Sequence, residues 1–169
     1  MFVRSGCSSW HAEHMARPPV THALTMNGRI HGELKDALDP DDVLLRRRLA
    51  LLDGIRRYSL SLWELPPETP FERVDLGRWP TEYVQAAGSR DRLTVELRRT
   101  ENSGPCQYVV GRTMSGPEPQ PTVSLPWDGV TTTVLANEVL DLDEAAAVFI
   151  RYLSDNGIPE GFALRRLDL

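Results

Sequence analysis

The fold class is decided by residues 122–153, which read TVSLPWDGVTTTVLANEVLDLDEAAAVFIRYL. Two segments, 122–127 and 130–135, flank Asp128-Gly129, a dipeptide that strongly favours a two-residue β-hairpin. Asp141 and Glu144 then approximate a capping box, and the apolar side chains that follow recur at helical spacing. A hairpin followed by an amphipathic helix indicates an α+β fold.

The residues on either side of this stretch predict further strands. Leu93, Val95 and Leu97 alternate with polar side chains, which is typical of a half-buried strand. A turn at 101–105 returns the chain, and residues 107–112 continue antiparallel to the first strand. Phe162 to Leu167 are expected to add a last strand, so the predicted sheet is an antiparallel β-meander.

The first half of the chain is less regular. Asp39-Pro40 resembles a helix start, and leucines at helical spacing follow it through Leu52. Residues 58–63 alternate as a strand, and 64–80 form a proline-rich surface loop. A short helix is expected over 81–87. We therefore predict an antiparallel meander packed with two main helices.

Length and composition favour one soluble domain. The 169 residues fall within the size of a single domain, which we place at 18–169 after a disordered arm at 1–17. Whether translation starts at Met1 or Met15 stays open. No export signal or membrane-length apolar run occurs. The two cysteines lie far apart, which favours a reducing, cytoplasmic location.

The charge is unevenly distributed along the chain. The net charge is −5, and the deficit lies in the second half. Within 128–160 one arginine, Arg151, stands against a set of carboxylates: Asp128, Glu138, Asp141, Asp143, Glu144, Asp155 and Glu160. Such a segment repels nucleic acid, whereas it attracts and steers a basic protein.

One partial metal motif occurs. His11-Ala12-Glu13 with Pro105-Cys106 resembles part of the H-x-E…P-C-x-x-C signature of zinc-dependent nucleobase deaminases. Val109 stands where the second cysteine belongs, and an incomplete ligand set cannot fix zinc. A second combination of histidine and cysteine lies in the first 22 residues: Cys7, His11, His14 and His22. We interpret these as incidental residues of a flexible arm and predict no metal and no cofactor.

Catalytic motifs are missing from the sequence. It contains no nucleophile elbow, phosphate-binding glycine loop or dinucleotide fingerprint, so we assign no catalytic residue. The arginine clusters at 46–48 and 56–57 share a helix with acidic residues and indicate a solvated face. Trp63 and Trp127 end strands and are expected in the core, although an exposed tryptophan would suggest a partner site.

The order of elements from Leu93 onward carries a family resemblance. A strand and hairpin lead to a Pro-Trp-Asp-Gly turn, an acid-capped helix, the turn Gly157-Ile158-Pro159 and a strand ending Leu-Arg-Arg-Leu-Asp-Leu. This part resembles conserved hypothetical proteins of the Streptomyces type. More loosely, it resembles the Imm-type immunity proteins of polymorphic toxin systems. The resemblance implies a non-enzymatic protein that binds and blocks a cognate toxin, often a deaminase or another enzyme acting on nucleic acid.

The leading functional hypothesis is therefore an immunity-like protein with a basic protein partner. The expected contact residues gather around the hairpin and the helix start: Trp127, Asp128, Glu138, Asp141, Asp143 and Glu144. One alternative is a small-ligand or regulatory domain with an apolar cavity lined by Trp63, Tyr108 or Phe149. The third is an enzyme, which would need carboxylates such as Glu96 and Glu138 to converge in a cleft.

Overall fold

An open antiparallel sheet organises the chain in a computed structural model, which describes residues 20–36, 38–116 and 121–168. The strands are β1 (His22–Met26), β2 (Ile30–Glu33), β3 (Ser59–Glu64), β4 (Tyr83–Ser89), β5 (Arg92–Glu101), β6 (Gly104–Arg112), β7 (Thr122–Trp127), β8 (Val130–Leu135) and β9 (Phe162–Arg166). The helices are α1 (Asp41–Leu49) and α2 (Leu142–Asp155), with 3₁₀ turns at Phe71–Arg73 and Ala136–Glu138.

Seven strands form the main sheet in the order β2-β1-β3-β4-β5-β6-β9, and every neighbouring pair is antiparallel. From β3 to β6, each strand pairs with the next, as a meander requires. β7 and β8 pair only with each other and form a separate two-stranded sheet. The predicted α+β fold is thereby confirmed, with the last hairpin outside the main sheet.

Both helices pack on one face of the sheet and form the main core with it. Alternate strand residues, such as Leu62, Val84 and Leu97, occupy neighbouring positions across the sheet and point to this face. Leu45 of α1 and Phe149 of α2 are fully buried against them, and the two helices contact each other. Burial of one such side chain stabilises the fold by about 1.5–3 kcal/mol.

The opposite face carries a smaller apolar cluster at one end. Trp63 is fully buried, as predicted, and packs with Ala23 and Leu65. The loop after β3 folds over this end, since Phe71 and Trp79 pack against the same cluster. Trp63 Nε1 donates a hydrogen bond of 2.9 Å to Thr25 Oγ1, which satisfies the indole in the buried site.

The hairpin and the turn that follows it lie over the other end of this face. β7 contacts β4 and β5, and Leu125 and Val134 are buried. Glu138 then packs against Gly111, where an added Cβ would lie 3.1 Å from Glu138 Cγ. Gly111 and Val109 alternate with Val110, which faces the helices, so the turn covers the helix-free face.

The capping residue predicted for α2 is correct, whereas the one predicted for α1, Asp39, is not. The Asp141 carboxylate accepts a bond of 2.9 Å from the Glu144 N–H, and Glu144 Oε2 accepts one of 2.9 Å from the Asp141 N–H. The predicted capping box is therefore confirmed. In α1 the N-cap is Pro40, and the expected cap Asp39 instead pairs with Arg47 Nη1 at 2.5 Å.

The predicted helix over 81–87 is wrong, because the chain forms strand β4 from Tyr83 onward. Val84 and Ala86 point into the core while the residues between them face the other side, so two-residue periodicity decides the structure. The alanines and the glycine suggested a helix and its end, but pairing on both sides with β3 and β5 overrides local preference. Gly88 is a strand residue with φ +117°.

Two further predictions concern the N-terminal residues and membrane-spanning segments. The predicted arm at 1–17 lies outside the described residues. Among the residues that are described, none of the helices combines the length and apolar character needed to cross a membrane.

Gly88 provides a test of the β4–β5 turn. An added Cβ would overlap the Arg92 carbonyl oxygen, and φ +117° is strained for any L side chain. We expect Gly88→Ala to lower the free energy of unfolding by about 2–5 kcal/mol through strain and steric overlap. Gly129→Ala is the matched control: its φ is +75° with no atom within 4 Å, so about 1–2 kcal/mol is expected. Urea denaturation measures both, and equal losses would contradict the steric explanation.

Candidate functional site

A row of polar side chains crosses the sheet on the face away from the helices. Its members occupy directly paired positions on neighbouring strands, interrupted on β6 by Val109. We call this set the polar row: His31, Thr25, Ser61, Gln85, Glu96 and Arg165. The hairpin and the loop after β3 cover the ends of this face, and the row lies between them.

The polar row is held together by short hydrogen bonds. Thr25 Oγ1 and His31 Nδ1 lie 2.9 Å apart, and Ser61 Oγ donates to Gln85 Oε1 at 2.9 Å. Gln107, beside the row on β6, donates through Nε2 to the Glu96 carboxylate. These bonds satisfy side chains that the surrounding elements partly remove from water.

An ion pair closes the β9 end of the row. Glu138 is 1% exposed, and its carboxylate accepts two bonds from Arg165, at 2.5 Å from Nε and 2.9 Å from Nη2. Glu138 Oε2 also accepts a bond of 2.9 Å from the Leu135 N–H. The arginine thus ties the turn after β8 to β9, and Glu138 is fully engaged within the protein.

Glu96 stands in a different electrostatic situation. Burial raises the pKa of its carboxyl group, the negative charge of Glu138 adds to this rise, and the Gln107 hydrogen bond and Arg165 oppose it. Arg165 pairs with Glu138 and its charge also acts on Glu96, so the two carboxylates lie in the field of the same arginine. Glu138 is held by this ion pair and by the Leu135 N–H, whereas Glu96 forms no salt bridge with a described residue and accepts a hydrogen bond from Gln107.

The predicted contact residues fall into two groups. Trp127 and Asp128 lie at the hairpin tip, whereas Glu138 and the start of α2 lie beyond the other end of β8. The six-residue strand β8 separates the groups by roughly 20 Å. They do not form one continuous acidic patch.

The acidic residues at the start of α2 are largely engaged in intramolecular bonds. Asp143 pairs with Arg46 of α1, and Glu144 pairs with Arg112, whose Nε lies 2.6 Å from Oε1. Together with Arg165, these arginines come from outside the acidic segment. The seven carboxylates of 128–160 therefore face four arginines rather than one, so the local excess is three negative charges rather than six.

The hairpin tip exposes apolar surface that the sequence did not indicate. Val130 is 67% exposed and is paired with half-buried Trp127, which is therefore not a core residue. Pro126 lies beside Gly54, where an added Cβ would be 2.9 Å from Pro126 Cγ, and the next residue in the chain, Ile55, is 72% exposed. We call this surface the hairpin tip surface: Ile55, Pro126, Trp127, Asp128 and Val130.

A well-ordered loop supports the hairpin tip surface. The Asp53 carboxylate accepts three bonds from the successive N–H groups of 55–57, at 2.8, 2.8 and 3.0 Å. These hydrogen bonds lower the pKa of Asp53. The loop that presents Ile55 is therefore fixed by its own backbone bonds, and the apolar side chain is held in place without being buried.

The apolar cavity proposed for a small ligand is not formed around the expected residues. Trp63 and Phe149 are each 0% exposed, so no water-sized space touches them. Tyr108 is 8% exposed, and its hydroxyl donates to Glu101 Oε1 at 2.6 Å. The positions named for the cavity are packed parts of the fold.

Metal ligands do not assemble in the described part of the chain. No group of three histidine, cysteine, aspartate or glutamate side chains among these residues could hold a metal ion. Cys106 is 4% exposed, and His11 and Glu13 of the partial deaminase motif lie outside the described residues.

Comparisons with protein-family models, with curated proteins and with solved structures found no match to this chain.

Arg165 tests the ion pair at the end of the polar row. Arg165→Met removes the partner of a carboxylate that is 1% exposed, and we expect a loss of about 2–3 kcal/mol in the free energy of unfolding because an unpaired buried charge remains. Arg166→Met, on the same strand but without an ion pair among the described residues, is the control and should change stability by no more than about 0.5 kcal/mol. Urea denaturation at pH 7 distinguishes the two, and equal effects would contradict the pairing.

Substitution of Glu96 tests whether its ionised carboxylate lowers the stability of the fold. Because burial raises the pKa of Glu96 in the folded state, the folded protein holds the proton more tightly, and ionisation opposes folding as the pH rises. Glu96→Gln should therefore be more stable than the wild type at pH 7. The gain should disappear below about pH 4, where the wild-type carboxyl is protonated. Thermal unfolding at both pH values measures this, with Glu160→Gln as an exposed control; a loss of stability at pH 7 would refute the explanation.

Proposed function

We propose that this chain is an immunity-like protein that binds and neutralises a basic toxin protein. The proposal follows the resemblance of the C-terminal half to Imm-type immunity proteins. The hairpin tip surface would make the central contact, and the exposed acids near it would steer the approach of the toxin.

The observation that carries the proposal is the exposed apolar surface at the hairpin tip. Val130 and Ile55 are 67% and 72% exposed, and a half-buried tryptophan lies beside Val130. Apolar side chains grouped on a surface mark interaction sites more often than scattered ones do. Tryptophan is also enriched among the residues that contribute most to protein binding.

The presentation of this surface favours binding as a rigid unit. The hairpin is buried through Leu125 and Val134, so its base is anchored while its tip stays accessible. The Asp53 loop holds the neighbouring apolar residue in place. An interface that is ordered before binding loses little conformational entropy when the complex forms.

Negative charge supplements the apolar contact at the hairpin tip surface and is not its main feature. Asp128 at the tip has no basic partner among the described residues, and the side chain of Asp143 is 71% exposed although it pairs with Arg46. With a net charge of −5, the protein attracts a basic partner over a distance, which raises the association rate. The ion-paired acids at the base contribute less to this steering than their number suggests.

Substitution at the hairpin tip tests the proposal. The ligand would be an inactivated toxin encoded beside the gene for this protein, and binding would be followed by biolayer interferometry. Val130→Asp places a charge in an apolar contact, and it should weaken binding by about 30-fold or more. Val43→Asp, at a position on α1 that is 46% exposed, is the matched control and should leave the affinity unchanged.

A charge reversal separates steering from contact. Asp128→Lys should slow association and flatten its salt dependence. Wild-type affinity in both Val130→Asp and Trp127→Ala would remove the hairpin tip surface from the interface. Failure of every neighbouring toxin to bind the wild type would refute the immunity-like function itself.

A further inference from the structure

A second feature lies at the end of the sheet away from the hairpin tip. A cavity of about 290 Å³ opens between the end of β3, the segment before β4 and the last turn of α2. Its volume is near the lower limit of ligand pockets and suits a side chain or a small molecule. The residues that matter for its chemistry are Glu64, Trp79, Glu82, Tyr152 and Asn156.

The lining of this cavity is negative. Glu64 and Glu82 both border it, and it is bordered by no lysine, arginine or histidine. Asn156 donates to Glu64 at 3.3 Å, and Glu82 accepts a bond of 2.8 Å from the Thr100 N–H, but neither carboxylate forms a salt bridge with a described residue. These two acids differ in this respect from the ion-paired acids near the start of α2. His22 is paired with Glu64 across β1 and β3, and burial lowers the pKa of its imidazole, which opposes a positive charge there.

The end of α2 adds to the negative potential. Asn156 closes the helix in a left-handed conformation with φ 56° and lines the cavity. The unpaired carbonyl groups of a last helical turn carry partial negative charge, which favours a cation nearby. The last turn of α2 contains no basic side chain of its own.

Tyr152 gives an independent indication of a ligand. It is 3% exposed and lines the cavity, and its hydroxyl makes no hydrogen bond with a described residue. Burial raises the pKa of this hydroxyl, and the charges of Glu82 and Glu64 raise it further. The side chain borders the cavity and its hydroxyl has no partner among the described residues, so this group is available to a molecule that enters the cavity.

The aromatic wall decides between kinds of cation. Trp79 lines the cavity and is half-buried, and an indole face attracts ammonium and guanidinium groups. A metal ion would need more oxygen ligands than two carboxylates supply, and no cluster of three such residues occurs among the described residues. Organic cations match both the acids and the indole.

We propose that this cavity binds an organic cation through an ammonium or guanidinium group, with Glu64 and Glu82 as counter-charges, the Tyr152 hydroxyl as a hydrogen-bond partner and Trp79 as an aromatic wall. The cation can belong to a free amine or to a basic side chain of a protein partner. The site does not depend on the hairpin tip surface, so it can be tested separately from the proposed function.

Titration with small cations tests the site on the full chain. n-Butylammonium and n-butylguanidinium are added to ¹⁵N-labelled protein, with n-butanol and butyrate as neutral and anionic ligands of the same length. Only the two cations should cause saturable shifts of the Trp79 indole and Asn156 side-chain amide signals. At ~50 mM ligand, a complex with a Kd of ~10 mM is mostly formed, so the absence of saturable shifts there would overturn the proposal.

Two variants connect the binding to the named residues. Glu64→Gln with Glu82→Gln should weaken n-butylammonium binding at least about tenfold. Asp91→Asn with Glu160→Gln makes the same change in net charge at exposed positions that do not line the cavity, and it should alter the affinity less than about twofold. Equal effects of the two double variants, or equal shifts with n-butanol, would refute the site.

Tyr152→Phe keeps the test decisive if the double variant does not fold. The hydroxyl it removes has no described partner, so the fold should persist while n-butylammonium binds about two- to fivefold more weakly. Unchanged affinity would refute the proposal, because the Tyr152 hydroxyl is its hydrogen-bond partner. The source of the cation follows from toxin binding by the Glu64→Gln, Glu82→Gln protein: weaker binding indicates a basic side chain of the partner, and unchanged binding indicates a free amine.

Discussion

The backbone pairing of Leu140 with Leu93 is the constraint on which both faces of the sheet depend. The two residues exchange hydrogen bonds of 2.9 and 2.7 Å beside the start of β5, where β6 has already ended its own pairing with that strand. Both side chains are fully buried. Before Leu140 the chain lies on the helix-free face as the hairpin and its turn, and after it α2 lies on the helical face. A single buried bridge therefore fixes the position of the hairpin and the start of α2 together. The hairpin tip surface is accessible because its base is held by this bridge and by the Glu138–Arg165 pair.

The acidic surface shows how folding changes a charge pattern that is plain in the sequence. The arginines that pair with Glu138, Asp143 and Glu144 are 27, 97 and 32 residues away in the chain. Each pair joins separate elements, so the carboxylates contribute to the position of the turn and of α2 as well as to the field around the protein. The pair with Glu138 is buried on the acidic side and is sensitive to loss of its partner, whereas the exposed pair with Asp143 has little effect on stability. Under the proposed function, steering of a basic partner depends on the smaller number of acids without basic partners.

Patterns among neighbouring residues correctly predict the elements that depend only on interactions between such residues. The hairpin over 122–135 and the capping box at Asp141 need only neighbouring residues, and both are present where the sequence placed them. The helix predicted over 81–87 rests on alanines, which are good helix formers, whereas pairing with the two neighbouring strands makes 83–89 a strand. The polar row could not be predicted from the sequence either, since its members come together only through the register of the main sheet. Trp127 is predicted in the core because it ends an apolar strand. That strand belongs to a separate two-stranded sheet, and its end lies near the surface.

Features of the described residues that are unfavourable for stability lie in different places. Glu96 keeps a carboxylate whose burial raises its pKa, Val130 exposes an apolar side chain at the hairpin tip, and the buried atoms His22 Nε2, Thr94 Oγ1 and Asn137 Oδ1 have no hydrogen-bond partner among the described residues. In a sequence selected mainly to fold, local propensity, packing and pairing agree with one another. Exceptions of this kind concentrate at functional sites because stability is lost there in exchange for binding or chemistry. The exposed apolar tip suits a protein surface, and the negative cavity with its tyrosine suits a cation. The two proposed binding sites therefore lie at opposite ends of one sheet, with the polar row between them.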